Sequence, residues 1–258
     1  MTGRTEDAWR ALRRLTSARI ALGRAGGSLP TAEWLAFSAA HAGARDAVHS
    51  ALDAPATERD LAPLGLPVLR LHSAAPDRAT YLQRPDLGRV LSEESRSVLS
   101  RAARGFDVVL ALGDGLSALA AQRHGPALLA AIVGRLRAAG LSIGPLCLVE
   151  QARVAVEDEI GEALGARLAV IALGERPGLG AADGLGVYLV HGPRRGRADG
   201  ERNCVSNVRP ASLPVEPAAE LVAWLCTEAL RRGLTGVALK DERAPAMSAG
   251  AAARLDGA

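Results

Sequence analysis

The sequence predicts an α/β protein with a Rossmann-like, mostly parallel sheet, helices on both faces, and an N-terminal helical arm ahead of it. Three observations point there. Apolar runs such as VVLALG and LAVIAL are short and read as strands buried on both faces. They alternate along the chain with stretches of helical period, the pattern of a sheet covered by helices. Glycine-rich turns stand where strands end, as in LGDGLS and LGERPGLG.

Each element follows in order. Residues 6–20 read as a first amphipathic helix, with Trp9, Leu12, Leu15 and Ile20 roughly on one side. GRAGGSLP breaks it, and Thr31 is placed to cap a second helix over residues 32–52. Residues 53–67 are rich in proline and polar side chains and read as a linker. The body opens with a strand in VLRLHSA and a helix from Ser92. A strand over residues 107–112 turns at Gly113, Asp114 and Gly115 into a helix that starts near Ser117 and runs through Gln122. A separate helix is expected from about Pro126 to Gly140, then a strand within IGPLCLVE and a helix in EDEIGEALG. LAVIAL and LGVYLV read as strands, and a last helix stops at Gly233. The chain thus divides into an arm (1–55), an α/β domain (56–245) and a tail (246–258) expected to be disordered.

Composition narrows the function. The chain has 258 residues, enough for one large domain with an appendage. Aromatic residues are only 3%, so the core must be aliphatic. The 31 basic and 28 acidic residues are interspersed, and Lys240 is the only lysine. No basic stripe for nucleic acid emerges. The three cysteines show no CxxC spacing, which argues against a disulfide framework and a structural zinc site. The five histidines are scattered, with no HExxH, so no protein-bound metal is expected. No apolar stretch reaches the roughly 18 residues of a membrane span, and the N-terminus lacks a signal-peptide core. A soluble protein of the cytoplasm is expected.

The motifs are more specific. A dinucleotide fingerprint needs GxGxxG between strand and helix. GLGAADGLG has Gly178 and Gly180, but Asp183 replaces the third glycine and a strand follows. Glu175 stands at the carboxyl end of LAVIAL, where open α/β sheets bind ligands. A carboxylate there repels phosphate and accepts from N–H donors, so it suits carboxamides. GDGLSALA reads either as a second ligand loop, with Asp114 and Ser117, or as a capped helix start; no GxSxG elbow exists. GERNCVSNVRP holds Cys204, but the nearest preceding histidine, His191, is thirteen residues earlier. A small soft side chain packed on a ligand or the core fits better than a nucleophile. The residues alone describe an α/β domain that binds a polar, amide-bearing ligand or partner, without a catalytic set of its own.

Several segments together resemble one family, the small (light) subunit of adenosylcobalamin-dependent ethanolamine ammonia-lyase. They are LTSARIALGRAGGSLPT, AHAGARDAVH, DVVLALGDGLSALA, RVAVEDEIGEALGA, GERPGLGAADGLGVYLVHGPR, ERNCVSNVRP and LTGVALKDE, in order over nearly the whole chain. GERPGL followed about thirty residues on by RNCVSN is the most specific combination. The resemblance implies a lyase that converts ethanolamine to acetaldehyde and ammonia by a radical mechanism begun by cobalt–carbon homolysis. It implies a hetero-oligomer with a large subunit that holds the substrate and the catalytic residues, with cobalamin bound between the two chains. It implies three cofactor-binding positions here: Glu175 accepting from a corrin amide, Val154 donating its backbone N–H, and Cys204 contacting the cofactor. No histidine lies in a DxHxxG setting, so the implied cofactor is base-on. The arm is expected either to dock on the large subunit or to fold onto its own domain. Some family members reside in a protein-shelled bacterial microcompartment, which would need a short N-terminal targeting helix. Two other readings stay open: a noncatalytic corrinoid-binding or regulatory protein, and a nucleotide-dependent oxidoreductase, the latter weakened by the failed glycine fingerprint.

Overall fold

The computed structural model describes residues 4–5, 7–16 and 18–243. The expected tail, residues 246–258, lies outside them.

Two short strands, β1 (Arg4–Thr5) and β2 (Arg24–Ala25), pair antiparallel near the start. The first expected helix is not an α-helix. Only a 3-10 segment, Arg10–Arg14, forms there, with Trp9 68% and Leu15 75% exposed. Helical stability in proteins comes mostly from packing an apolar face, and this face is left exposed. The second expected helix is present as α1 (Thr31–His49), with Pro30 rather than Thr31 at its N-cap.

The expected linker is instead a helix, α2 (Ala54–Leu61), continued by a 3-10 turn at Ala62–Leu64. The Asp53 carboxylate accepts from the Ala56 N–H at 2.9 Å, and Pro55 occupies the first turn, where its missing N–H has no cost. Ala54 and Leu61 are buried in the main core.

The body is a six-stranded sheet. Its strands are β3 (Val68–His72), β4 (Val108–Gly113), β5 (Ile143–Glu150), β6 (Leu168–Gly174), β7 (Leu185–His191) and β8 (Asn203–Val208), in the order β3-β5-β4-β6-β7-β8. The pairs among β3, β5, β4 and β6 are parallel; β7 and β8 run antiparallel. Pro145 sits inside β5, a position normally closed to proline. The β4–β5 register shifts between Val108 and Leu110, skipping Gly144 and Pro145, so the proline falls where the ladder is interrupted.

Strand alternation feeds two cores. Val108, Leu110 and Leu112 face one side with α2, α5 (Ala118–Ala138) and α7 (Val215–Arg232). Val109 and Ala111 face the other with Leu99 of α4 (Glu93–Ser100) and with Val156 and Ile160 of α6 (Val156–Ala163). α3 (Arg78–Gln83) follows β3. α5 is one helix, not the two that Pro126 suggested. Leu128, Leu129, Ile132, Val133 and Leu136 are fully buried on it, each worth about 1.5–3 kcal/mol, which outweighs the roughly 3 kcal/mol of an interior proline. The mostly parallel α/β sheet with helices on both faces is therefore as expected. No described helix is long and apolar enough to cross a membrane.

Candidate functional site

Chain order and sheet order diverge around β4: β5 lies on one side of it and β6 on the other. Such a reversal opens a crevice at the carboxyl ends of the strands. The loops leaving β4, β5 and β6 meet there. The β4 and β6 loops touch backbone to backbone, with Leu116 N–H donating to Gly174 O at 2.8 Å. A Cβ on Gly115 would lie 2.2 Å from Gly174 O, and one on Gly174 2.0 Å from Ser117 O, so both must be glycine.

The loop after β5 carries Val154, and the three residues before it are held in place. Asp114, buried at the end of β4, accepts from Gln151 N–H at 2.9 Å and Ala152 N–H at 3.0 Å. Burial holds the Asp114 carboxyl above its ordinary range, against the opposing pull of these two amides. Gln151 takes a left-handed φ of 54° so that both amides point at that carboxylate. Arg153 N–H donates to Gly88 O at 2.8 Å, and its guanidinium stacks 4.3 Å from the Tyr81 ring. Arg78 stacks on the same ring at 4.7 Å. Tyr81 is fully buried, its hydroxyl donates to Ala152 O at 3.0 Å, and burial pushes its pKa up to about 12. Val154 N–H has no acceptor among the described residues.

Glu175 follows β6 directly. Its Oε1 accepts from Asn207 N–H at 3.0 Å. Asn207 has φ 59° in a bulge of β8, where the register to β7 shifts between Leu185 and Val187. The bulge turns that amide away from the ladder and toward the carboxylate. Gly184 and Gly186 make the room: a Cβ on either would sit 3.0 Å from a Glu175 oxygen. Glu175 Oε2 accepts no hydrogen bond among the described residues.

Val154 and Glu175 line one cleft of about 280 Å³, together with Tyr81, Arg153, Arg176 and Tyr188. Cys204 stands at its edge. It pairs in register with Tyr188, so both project from the same sheet face. Burial, then the neighbouring thiol, push the Tyr188 hydroxyl well above its usual range. Cys204 is exposed and its Sγ lies 3.2 Å from Ser206 Oγ. Cys147 and Cys226 are buried elsewhere. The structure thus places Val154 and Glu175 in one cleft, with Cys204 outside its lining and next to Tyr188.

Ser117 caps α5, with Oγ accepting from Ala120 N–H at 3.2 Å and donating to Ala182 O at 2.8 Å, so its place is structural. Tyr188, Arg153 and the scaffold role of Asp114 were not visible in the sequence. The one available signal was an acid inside a glycine turn at a strand end. No cluster of three or more His, Cys, Asp or Glu placed to hold a metal exists among the described residues.

Chemically, the cleft offers a carboxylate acceptor, an unused backbone donor, two arginines, a phenol and a thiol. It lies just under the roughly 300–1,000 Å³ of pockets that enclose a small ligand. It suits one edge of a larger molecule whose remainder lies outside.

Comparison with known proteins identifies the chain's relatives. A family model described as Ethanolamine ammonia-lyase light chain (EutC) matches residues 6–240. The chain is 54% identical to the ethanolamine ammonia-lyase small subunit of Azotobacter vinelandii, over 98% of this chain and 93% of that one. It is 53% identical to that of Ralstonia nicotianae, over 95% and 93%. It is 51% identical to that of Pseudomonas syringae pv. tomato, over 91% and 83%.

Proposed function

Since the chain belongs to the ethanolamine ammonia-lyase light-chain (small-subunit) family, we propose that its cleft holds the edge of adenosylcobalamin, base-on, in a complex with the large subunit that acts on ethanolamine. The carrying observation is that one cleft holds both Glu175 Oε2, an acceptor without a donor among the described residues, and Val154 N–H, a donor without an acceptor among them. The rim of a corrin ring bears carboxamides, which offer N–H donors and C=O acceptors. The residues present therefore fit the group.

Glu175 accepts from one rim amide in a charge-assisted bond. Val154 N–H donates to an amide carbonyl, its direction fixed by Asp114 and Arg153 on the residues before it. Cys204, exposed on the flat face beside Tyr188, contacts the ring edge. The bound cofactor would supply the radical chemistry that converts ethanolamine to acetaldehyde and ammonia; this chain binds and orients. The substrate and catalytic residues belong to the large subunit in this reading. The exposed arm docks on that partner. The complex works in the cytoplasm, or within a bacterial microcompartment where the organism builds one.

The test is cobalamin titration of the assembled complex, followed by absorbance. Glu175→Gln should weaken binding by about 1–3 kcal/mol, the scale of a hydrogen bond to a charged group. Wild-type affinity in a folded, assembled Glu175→Gln complex would refute the acceptor role. A wild-type complex that binds no cobalamin would refute the whole reading.

A further inference from the structure

Away from the cleft, the chain buries an ion cluster that at first sight weakens it. Arg202 has a side chain 2% exposed; its partners Glu157 and Asp158 are 1% and 4% exposed. Arg202 Nη1 donates to Glu157 Oε1 at 2.7 Å and to Asp158 Oδ1 at 2.9 Å. Its Nη2 donates to Asp158 Oδ2 at 2.7 Å and to Arg197 O at 3.2 Å. The fork grips Asp158 with both nitrogens, which fixes the guanidinium plane as well as the distance.

Burying such groups costs solvation that their attraction repays only in good geometry, and apolar side chains of similar volume often do as well or better. The cluster is also incomplete: Glu157 Oε2 and Arg202 Nε are buried without a hydrogen-bond partner among the described residues. Burial pushes the Glu157 carboxyl up to about 8, against the pull of Arg202 and the Ile171 N–H and with the push of Asp158. Stability alone does not explain it.

Its position does. Glu157 and Asp158 are the third and fourth residues after Val154, in the first turn of α6. Arg202 is two residues before Cys204, at the entry to β8. The cluster is therefore a direct polar tie between the segment that carries the free Val154 amide and the strand that carries the exposed thiol. Apolar packing could hold those segments together, but it would not set their angle.

We propose that Arg202 is a positioning residue for the cofactor cleft: its forked grip on Asp158 and Glu157 sets the spacing and angle between the Val154 amide and the Cys204 face. This rests on the reading of the cleft given above. Arg202 touches no ligand in it; it acts through the two segments it joins.

The test uses the complex with the large subunit and two replacements. Arg202→Lys keeps the charge and removes the fork. Arg202→Met with Glu157→Met and Asp158→Leu replaces the cluster by apolar volume. The readouts are melting temperature, copurification of the two subunits, and cobalamin affinity by absorbance titration. The expected result is a melting temperature at or above wild type for the apolar triple variant, intact assembly, and affinity lower by about 10- to 100-fold in both variants, the scale for groups that support a ligand-binding shell. A purely structural cluster would instead move melting temperature and affinity together, or neither. Wild-type cobalamin affinity in a folded apolar triple variant overturns the proposal; if that variant does not fold, wild-type affinity in Arg202→Lys does so. Glu175→Gln run in parallel separates the two readings. If it weakens binding while the Arg202 variants do not, only the positioning role fails; if it binds as wild type does, the cleft reading fails first.

Discussion

Three thiols in one chain meet two different fates, and burial decides between them. Cys147 and Cys226 lie in the two cores, and desolvation pushes both up to about 12. The thiolate is the reactive species, so neither should react at neutral pH. Cys204 is exposed on the face beside the cleft. An alkylating reagent should therefore label Cys204 alone in the native chain, and cobalamin bound to the complex should slow that labelling. Peptide mass mapping reads both; equal labelling of Cys147 or Cys226, or no protection by cobalamin, would contradict the assignment. At this scale the sequence was partly legible. Glu175 announced itself as an acid at a strand end ahead of a glycine loop, a pattern with a direct chemical meaning. Val154 did not, because what matters there is a backbone N–H, which every residue but proline owns. It was singled out by the resemblance alone, and its setting comes from its neighbour Arg153 and from Asp114 and Tyr81, which are remote in sequence and meet it only in the fold. Arg202 was equally hidden, 44 residues from Asp158.

The elements that the sequence hid share a cause: their signals were local, and tertiary packing overruled them. α2 sits in a stretch whose proline and polar residues read as a linker, yet Pro55 occupies the tolerated first turn and Asp53 caps it. β8 has a polar, mostly exposed pattern because it is an edge strand with one covered face; only Val205 and Val208 point into the core. α5 runs through Pro126 because its buried face outweighs one lost hydrogen bond. The strands of the sheet interior, by contrast, were plain, since both faces are buried and the runs are continuous. The cap of α2 gives a direct test. Asp53→Ala should cost about 1 kcal/mol, the usual loss of an N-cap. In a chain of this size that lowers the melting temperature by roughly 2–4 °C. An unchanged melting temperature would mean that α2 is held by Leu61 and Ala54 in the core, with the cap idle.

On the scale of the whole molecule, apolar surface is unevenly spread. Trp9, Leu12, Leu15, Ile20, Leu29, Trp34, Leu35 and Phe37 are all exposed, and all lie before residue 38. Large exposed apolar groups gathered in one region mark a contact surface. That region is nonetheless tied to the body beside the cleft. Arg19 donates to Leu179 O at 2.9 Å in the glycine-rich loop, and Arg78 donates to Val48 O at 2.7 Å and to Gly115 O at 2.8 Å. A partner seated on α1 would thus stand next to the cleft, where a ligand held by one edge needs its other side covered. Removing residues 1–52 would strip Arg78 of the Val48 carbonyl, so point changes make the cleaner test. Trp34 and Leu35 are 57% and 56% exposed, and changing both to glutamine should leave the isolated chain within about 0.5 kcal/mol of wild type. If they lie at the centre of the contact with the large subunit, the pair should weaken assembly by about 2 kcal/mol or more, as aromatic anchors do. Copurification across a dilution series measures this. Undiminished assembly in the folded double variant would place the contact elsewhere and leave the apolar face of α1 without a role in the complex.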